Sequence, residues 1–329
     1  MNLSIFIPSY NHAQFIERTL QAAVRIDVQD KEIIVIDDGS SDASISVIRQ
    51  FIASKDTGNI ITLIARENRG LVKTLNEGLA HARGRYFYII ASDDIAIPEG
   101  IKSLVDHLES NKGLQFALGN GLFMESEYQS KFQPTYGEGH RRFFALPYDT
   151  RQKEMFLRLP LPLLLQATVF TISALKNMGG WREDIISDDL YMFLRLFSHV
   201  KSVGKDFAYR PDIMACFYRR HENNISRDLE RQFMTIDQTL KYLCPAEWQD
   251  AAYSRNFAIH AIVAVRTGKM ILAKRFFLTT VARMGLLRWL RATGPALIDS
   301  LITTFSRHLS HKIKIAHEPA VIKMNYLHE

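Results

Sequence analysis

Leu3-Ser4-Ile5-Phe6-Ile7-Pro8-Ser9-Tyr10-Asn11 and Glu32-Ile33-Ile34-Val35-Ile36-Asp37-Asp38-Gly39-Ser40-Ser41-Asp42 share one design, an apolar run of strand length that stops in polar residues. A run that is apolar at nearly every position is buried on both faces, the condition of a strand inside a parallel sheet. Ile60–Ile64 and Tyr86–Ile90 repeat the pattern, and Ala13–Val24, Ala43–Ser54 and Leu71–Ala82 between them carry helical periodicity. Strand, helix, strand at this spacing predicts right-handed βαβ units and a Rossmann-like α/β sheet, mostly parallel and flanked by helices.

The polar residues fall where the strands run out. Pro8–Asn11 closes the first strand, Asp37–Asp42 the second and Ala91-Ser92-Asp93-Asp94 the fourth. In a parallel sheet such ends open on one crevice. Taken singly, each cluster is also compatible with ordinary turn and cap chemistry. Two adjacent carboxylates at the end of a buried strand repel each other and lose solvation unless a cation or hydrogen-bond donors compensate. Asp93-Asp94 therefore points to a hard divalent ion whose shell substrate phosphates complete. Neither a P-loop nor a GxGxxG motif is present, which argues against the usual NTPase and dinucleotide chemistries.

After Pro98 a helix over Glu99–Ser110 and a strand over Gln115–Leu122 are predicted, and then Glu125–Thr150 loses periodicity and reads as a long functional loop. Regularity resumes with a strand at Thr168–Ile172, a turn at Gly179-Gly180-Trp181, a helix from Asp188 to His199 and a strand at Ile213–Arg219. From Asp228 onward every segment is helical, with breaks at Pro245, Gly268, Gly285 and Gly294-Pro295. Two units are expected: residues 1–227 with the α/β pattern, and an all-helical region at 228–329.

The chain has 329 residues, 47% of them hydrophobic and 23% charged, so it is a folding sequence, not a disordered one. Its net charge of +6 is concentrated: Arg266–Lys314 holds ten Lys/Arg against one acid, Asp299. A basic tail on a mildly acidic body implies a localised anionic partner. Nucleic acid is discounted, because these charges are spaced along apolar helices and not interleaved with stacking aromatics. Leu286, Leu290, Leu297, Leu301 and Phe305 recur at near-helical spacing, with Arg288, Arg291 and Arg307 for charge and Trp289 as an interfacial anchor. Such a helix would dock on an anionic membrane surface, kinked at Gly294-Pro295. Cys216 and Cys244 lack ligand spacing and read as buried, reduced thiols. Met1–Pro8 has no basic n-region, and no run of about 18 apolar residues occurs, so neither a signal peptide nor a membrane span is predicted. The expected location is cytoplasmic, peripheral on the inner face of the plasma membrane.

The combination of Phe6–Asn11, Ile36–Asp42, Glu67-Asn68-Arg69-Gly70 with Asn76 and Gly84, and Ser92-Asp93-Asp94 resembles the family-2 inverting glycosyltransferases with the GT-A fold. The likeness continues through Gly179-Gly180-Trp181, Ser187-Asp188-Asp189 with Arg195, and Tyr218-Arg219-Arg220-His221 with Asn224 and Ser226. It covers residues 1–227.

The resemblance implies that Pro8, Tyr10, Asn11 and Asp38 hold the base and ribose of a nucleotide sugar, Asp38 accepting from a uracil-like ring, so that the donor is a uridine or thymidine diphosphate sugar. It further implies that Asp94 coordinates Mn²⁺ or Mg²⁺ on the diphosphate while Asp93 supports the ribose or the metal. Many relatives have a further Asp two positions before Asp93; this chain has Ala91, and His221 is the candidate to complete the shell or to pair with the departing phosphate. Asp189 aligns with the catalytic base, Ser187 can cap its helix, and Asp188 complements the helix dipole beside the acceptor. Trp181 is placed either on an acceptor sugar's apolar face or in the core.

The implied reaction is a single displacement with inversion, Asp189 taking the acceptor proton and the metal, His221, Lys73 or Arg69 stabilising the leaving diphosphate. The acceptor would be a glycan or lipid-linked molecule in surface-polysaccharide synthesis. Two readings compete. A nucleotidyltransferase would need a basic, Gly-rich loop where Pro8–Gln14 offers neither glycine nor lysine. A catalytically silent scaffold is opposed by the joint presence of Asp38, Asp94 and Asp189.

Overall fold

Ile5, Phe6 and Ile7 have no solvent exposure, and that double-sided burial fixes their strand at the centre of a sheet. The computed structural model describes residues 2–54, 57, 59–125, 129, 131–159, 161–221, 228–294 and 296. Alternation of strand and helix holds through the first half: β1 (Leu3–Ser9), α1 (Ile16–Arg25), β2 (Lys31–Asp38), α2 (Ser44–Ser54), β3 (Ile61–Arg66), α3 (Leu71–His81) and β4 (Tyr86–Ile89). β2 pairs in parallel with β1 and β3, and β1 in parallel with β4. The register sets Ser9 opposite Asp37, so the polar ends of the first two strands lie side by side.

The second half turns the sheet from parallel to mixed. It comprises β5 (Ile95–Ala96), α4 (Pro98–Ser110), β6 (Phe116–Met124), β7 (Gln133–Pro134), α5 (Glu138–Ala145), α6 (Tyr148–Leu157), β8 (Thr168–Thr171), α7 (Ile172–Asn177), α8 (Asp189–His199) and β9 (Ala208–Arg219). The strand order is β3-β2-β1-β4-β8-β6-β9-β5, with β7 on β6. β8 runs antiparallel to both β4 and β6, and β5 antiparallel to β9. A 3-10 turn, Leu165–Ala167, leads into β8. This is the expected mixed, mostly parallel GT-A-type sheet flanked by helices.

Two expectations are corrected. The stretch 125–150 is not all loop, because α5 and the start of α6 lie within it. Phe143 and Phe144 pin α5 to Phe197, and Phe144 stacks on Tyr209 at 4.1 Å, contacts from distant sequence that supply what a helix this short lacks on its own. β9 begins at Ala208, not Ile213, since pairing of Ala117 with Ala208 and Leu118 with Tyr209 overrides the break that Pro211 suggests.

α9 (Leu229–Leu243), α10 (Ala246–Arg266) and α11 (Met270–Met284) follow, and residues 286–294 are again helical. Asp228 caps α9 by accepting from the amides of Glu230 and Arg231 at 2.9 and 3.1 Å. Phe233 stacks on Phe276 at 4.3 Å, and Leu229, Phe257, Ala261 and Ala264 close a core around them. Leu240, Tyr253 and Met284 join Phe156 and Leu157 of α6, so the helices rest on the α/β part. Leu297, Leu301, Phe305 and Arg307 of the expected stripe, with Pro295, Asn224 and Ser226, lie outside the described residues.

Helix α4 shows how closely the layers meet. Ile101, Leu104, Val105 and Leu108 bury one face at helical spacing, and a Cβ on Gly100 would stand 1.9 Å from the carbonyl oxygen of Met214 in β9. Gly100→Ala should therefore force helix and strand apart and cost about 1–3 kcal/mol. Urea denaturation checks this; a midpoint equal to wild type contradicts so close a contact.

Candidate active site

The loops after β1 and β2 are laced together before any ligand is considered. Asp37 accepts from the Ser40 amide (2.8 Å), the Ser40 hydroxyl (2.7 Å) and Ser9 (3.1 Å). Gly39 makes the turn at φ 77°, where a side chain would meet the Asn68 amide at 2.6 Å. Asn11, itself at φ 54°, donates its amide to Ser40 Oγ and accepts from the Ser41 amide, both at 2.8 Å. Asp42 accepts from the amides of Ala13 and Ser44. Tyr10 is left 48% exposed beside this framework.

Asp38 is buried and holds the loop between β3 and α3: Oδ1 accepts from the Arg69 amide at 2.8 Å and from Arg66 Nη1, and Oδ2 from the Gly70 amide at 2.9 Å. Arg66 also binds Glu77 (2.7 Å) and Thr74 (2.8 Å). Three donors leave one of the roughly four acceptor positions of a carboxylate open. The side chains of Arg69 and Lys73 are exposed at the head of α3.

The two aspartates after β4 face different surroundings. Asp94 is 2% exposed, and its carboxylate accepts from the Arg219 amide (2.8 Å) and from Gln166 Nε2 (3.1 Å). Burial, and then the charge of Asp93, pushes its carboxyl well above the ordinary carboxylate range, against the opposing pull of Arg219 and Gln166. Asp93 instead meets His221, whose Nε2 lies 2.9 Å from Oδ2, and His12, whose Nε2 lies 3.9 Å away. The geometry thus unites Asp93, not Asp94, with His221. Burial, against the attraction of Asp93, lowers the affinity of His12 for a proton and favours the neutral ring.

One ligand atom each from His12, Asp93 and His221 fits within 4.8 Å. Two ligands about 2.1 Å from one ion sit about 3–4 Å apart, so the separations of 2.9 and 3.9 Å between Asp93 Oδ2 and the two imidazole nitrogens, with the donor chemistry, fit a divalent cation.

Asp189 opens α8. Ser187 Oγ accepts from the Tyr191 amide at 3.1 Å, the expected cap, while Asp188 occupies the N-cap position itself. Burial, then the charges of Asp188 and Asp94, hold the Asp189 carboxyl well above its usual range, although the Leu165 amide donates to it. Burial likewise raises Asp188. The 3-10 turn thus joins two acids, Leu165 on Asp189 and Gln166 on Asp94.

Trp181 is 2% exposed within the core, which takes it out of reach of an acceptor in this conformation and corrects the stacking expectation. Arg195 donates to the carbonyl oxygens of Gly180 and Met178 and so holds the Gly179–Gly180 turn. Sequence reading missed His12 and Gln166. An imidazole one residue past a strand-end cluster was a usable signal for the first, whereas nothing local marks the second.

Residues 4–159 match the model of Glycosyl transferase family 2. The chain carries a family-2 glycosyltransferase domain. It is 34% identical over 120 residues to an uncharacterized glycosyltransferase of Haemophilus influenzae, covering 36% of each chain. It is 24% identical over 195 residues to the poly-β-1,6-N-acetyl-D-glucosamine synthase of Staphylococcus epidermidis, covering 59% of this chain and 45% of that one. The chain thus spans between a third and a half of the length of these curated relatives. Among solved structures it is similar to S. aureus TarS in complex with UDP-GlcNAc (TM-score 0.54, 16% identity, covering 77% of this chain and 70% of that one). It is also similar to a mannosyltransferase of Pyrobaculum calidifontis in complex with GDP-Man and Mn²⁺ (TM-score 0.56, 17% identity, 92% and 87% covered). These likenesses identify the glycosyltransferase fold as GT-A.

The ion pair between Arg66 and Asp38 beneath the loops after β2 and β3 is open to test. The side chains of Arg66 and Asp38 are 11% and 7% exposed. Arg66→Met should destabilise the glycosyltransferase by about 3–5 kcal/mol, the cost of stranding one member of a buried pair. Adding Asp38→Asn should recover part of the loss; chemical denaturation of the two variants decides.

Proposed function

We propose that this glycosyltransferase inverts configuration, moving a sugar from a uridine or thymidine diphosphate donor to a hydroxyl of a glycan or lipid-linked acceptor in surface-polysaccharide synthesis. The observation that carries the reading is the approach of Asp189 to the Asp93-Asp94 end of β4 across one 3-10 turn, where burial and then the charges of Asp188 and Asp94 raise the Asp189 carboxyl and so make it a better proton acceptor than an exposed carboxylate. A base and a diphosphate-side cluster on facing sides of one crevice suit an in-line displacement. The neighbours solved with UDP-GlcNAc and with GDP-Man and Mn²⁺ support a nucleotide-sugar donor.

In this mechanism the open acceptor position of Asp38 Oδ2 receives the N–H of the pyrimidine, with Pro8, Tyr10 and Asn11 around base and ribose. Arg69 and Lys73 lie on the phosphate side. Asp93 and His221 would hold a divalent ion, which supplies positive charge to the departing diphosphate. Asp94 ties the end of β4 to β9 and to the 3-10 turn, and as a further ligand it would use one of the acceptor positions that Arg219 and Gln166 leave open. Asp189 takes the acceptor proton as that oxygen bonds to the anomeric carbon and the bond from that carbon to the β-phosphate oxygen breaks; Asp188 lines the acceptor side. Residues 1–227 form the catalytic part in this reading and 228–329 the docking part.

Release of nucleoside diphosphate from a panel of nucleotide sugars, with and without Mn²⁺, tests the activity; no release from any donor contradicts it. Asp189→Asn should leave donor binding intact and lower transfer by about 10²–10⁴-fold. Because the base works ionised and its pKa is raised, wild-type transfer should climb with pH through a value above the ordinary 3.8 and then level off. A variant within a few-fold of wild type, with the same pH limb, requires another base.

We further propose peripheral docking on an anionic leaflet. Among the described residues no helix is long and apolar enough to cross a membrane. Leu286 (52% exposed), Leu287 (74%) and Leu290 (58%) present apolar side chains on the basic helix that follows α11. Trp289 is no anchor, since it packs against Phe277 and Phe257 at 4.9 and 5.6 Å. Leu286→Ser, Leu287→Ser and Leu290→Ser combined should abolish salt-sensitive co-sedimentation with anionic vesicles. Equal partitioning of variant and wild type rules this surface out.

A further inference from the structure

We propose that His12 is a third protein ligand of the divalent ion, so that two imidazoles and one carboxylate hold it and select first-row transition ions over Mg²⁺. The inference rests on the metal-assisted reading above and deepens it.

His12 is held from three sides. Its amide donates to Ser44 Oγ at 3.0 Å, its Nδ1 lies 2.8 Å from Ser92 Oγ, and Phe15 meets its ring edge-on at 5.9 Å. Ser92 is itself 1% exposed, and its carbonyl accepts from Thr19 Oγ1 at 3.0 Å. Ser92 Oγ can accept the Nδ1–H of a neutral imidazole, the tautomer that leaves the Nε2 lone pair free for an ion, as is usual behind a metal-ligating histidine. Nε2 of His12 points at Asp93 Oδ2, 3.9 Å away, and His221 Nε2 approaches the same oxygen at 2.9 Å. Phe15 lies 5.0 Å from the His221 ring as well, so one aromatic side chain backs both imidazoles. Side-chain exposures of 26% for His12, 13% for Asp93 and 16% for His221 set the three at the floor of an open crevice, where an ion can enter and phosphate oxygens can complete its shell.

The donor set decides the selectivity. Mg²⁺ favours oxygen ligands and retains its water, whereas imidazole nitrogen strengthens binding along the series from Mn²⁺ to Co²⁺ and beyond. Ala91 offers no ligand, and of the two adjacent aspartates it is Asp93 whose carboxylate lies with the two imidazoles, while Asp94 is turned inward onto Arg219 and Gln166. A shell with one carboxylate and two imidazoles gives up the hard, charged oxygens on which Mg²⁺ relies.

Electron spin-echo spectroscopy of Mn²⁺ bound to the full chain, alone and with UDP or GDP, counts imidazole nitrogens directly. Wild type should show two such couplings, His12→Gln and His221→Gln one each. The preference for Mn²⁺ over Mg²⁺, from competition, should narrow by about tenfold or more in His12→Gln. Ser92→Ala should keep both couplings but weaken Mn²⁺ binding by about 10–100-fold, the effect of removing an outer partner. Folding is monitored by circular dichroism, so a His12→Gln that unfolds leaves Ser92→Ala and the wild-type nitrogen count to decide. A single coupling in wild type, lost in His221→Gln and kept in His12→Gln, overturns the role of His12 and leaves the metal-assisted reading standing. No protein-bound Mn²⁺ in any sample overturns both.

Discussion

The carboxyl of Asp94 is buried between the ends of β4 and β9, and several elements around the site are tied together by that burial. A carboxyl taken out of water must be neutralised or surrounded by donors. Here the donors come from far apart in the chain: the Arg219 amide at the end of β9 and the Gln166 amide group on the turn before β8. The carbonyl of Asp94 is bound as well, by Thr19 of α1 at 2.7 Å. One residue thus fixes α1, the end of β4, the end of β9 and the 3-10 turn to each other. With Asp94 committed inward, its neighbour Asp93 is left to face His12 and His221 at the crevice.

The loops after β1, β2 and β3 follow the same economy. Asp37, Asp38 and Asp42 spend nearly all their acceptor positions on backbone amides and hydroxyls, which makes them builders of the loops more than free ligands. What remains open there is one position on Asp38 and the exposed Tyr10, Arg69 and Lys73 carried by those loops, the groups that the proposed function assigns to the donor. Side chains fixed before the ligand arrives lose little freedom on binding, so the acidic lacing sets geometry while the exposed groups make contact.

How much of this was legible in the sequence follows from how local each cause is. Apolar runs such as Ile33–Ile36 declare buried strands without reference to any other segment, and polar strand ends then locate the crevice. The division of labour between Asp93 and Asp94 was not legible, because it depends on which way each carboxyl turns, and that is set by β9 and residue 166 more than 70 positions away. The same holds for α5, a short helix anchored by Phe197, and for the first half of β9, which pairs across Pro211. His12 was readable in principle as an imidazole in a strand-end loop. Its partner Ser92 lies 80 residues on, and only the fold brings the two together.

Charge counting in the C-terminal helices shows the same limit in its sharpest form. The window from Arg266 to Lys314 holds ten cations and one acid, yet three of those cations are paired with acids that precede the window. Arg275 meets Glu230, Arg283 meets the buried Asp237 at 2.7 Å, and Arg288 meets Asp250 at 2.5 Å. These pairs stitch α11 and the turns after it onto α9 and α10, so that part of the apparent excess works inside the helical bundle. A linear count treats charges as segregated when folding has interleaved them. Any attraction to an anionic leaflet is then weaker than the composition implies, and the proposed docking, which would gain about 1 kcal/mol per basic residue at the surface, would rest more heavily on Leu286, Leu287 and Leu290. Removing their apolar side chains therefore probes the proposed docking more directly than neutralising arginines that already serve the fold.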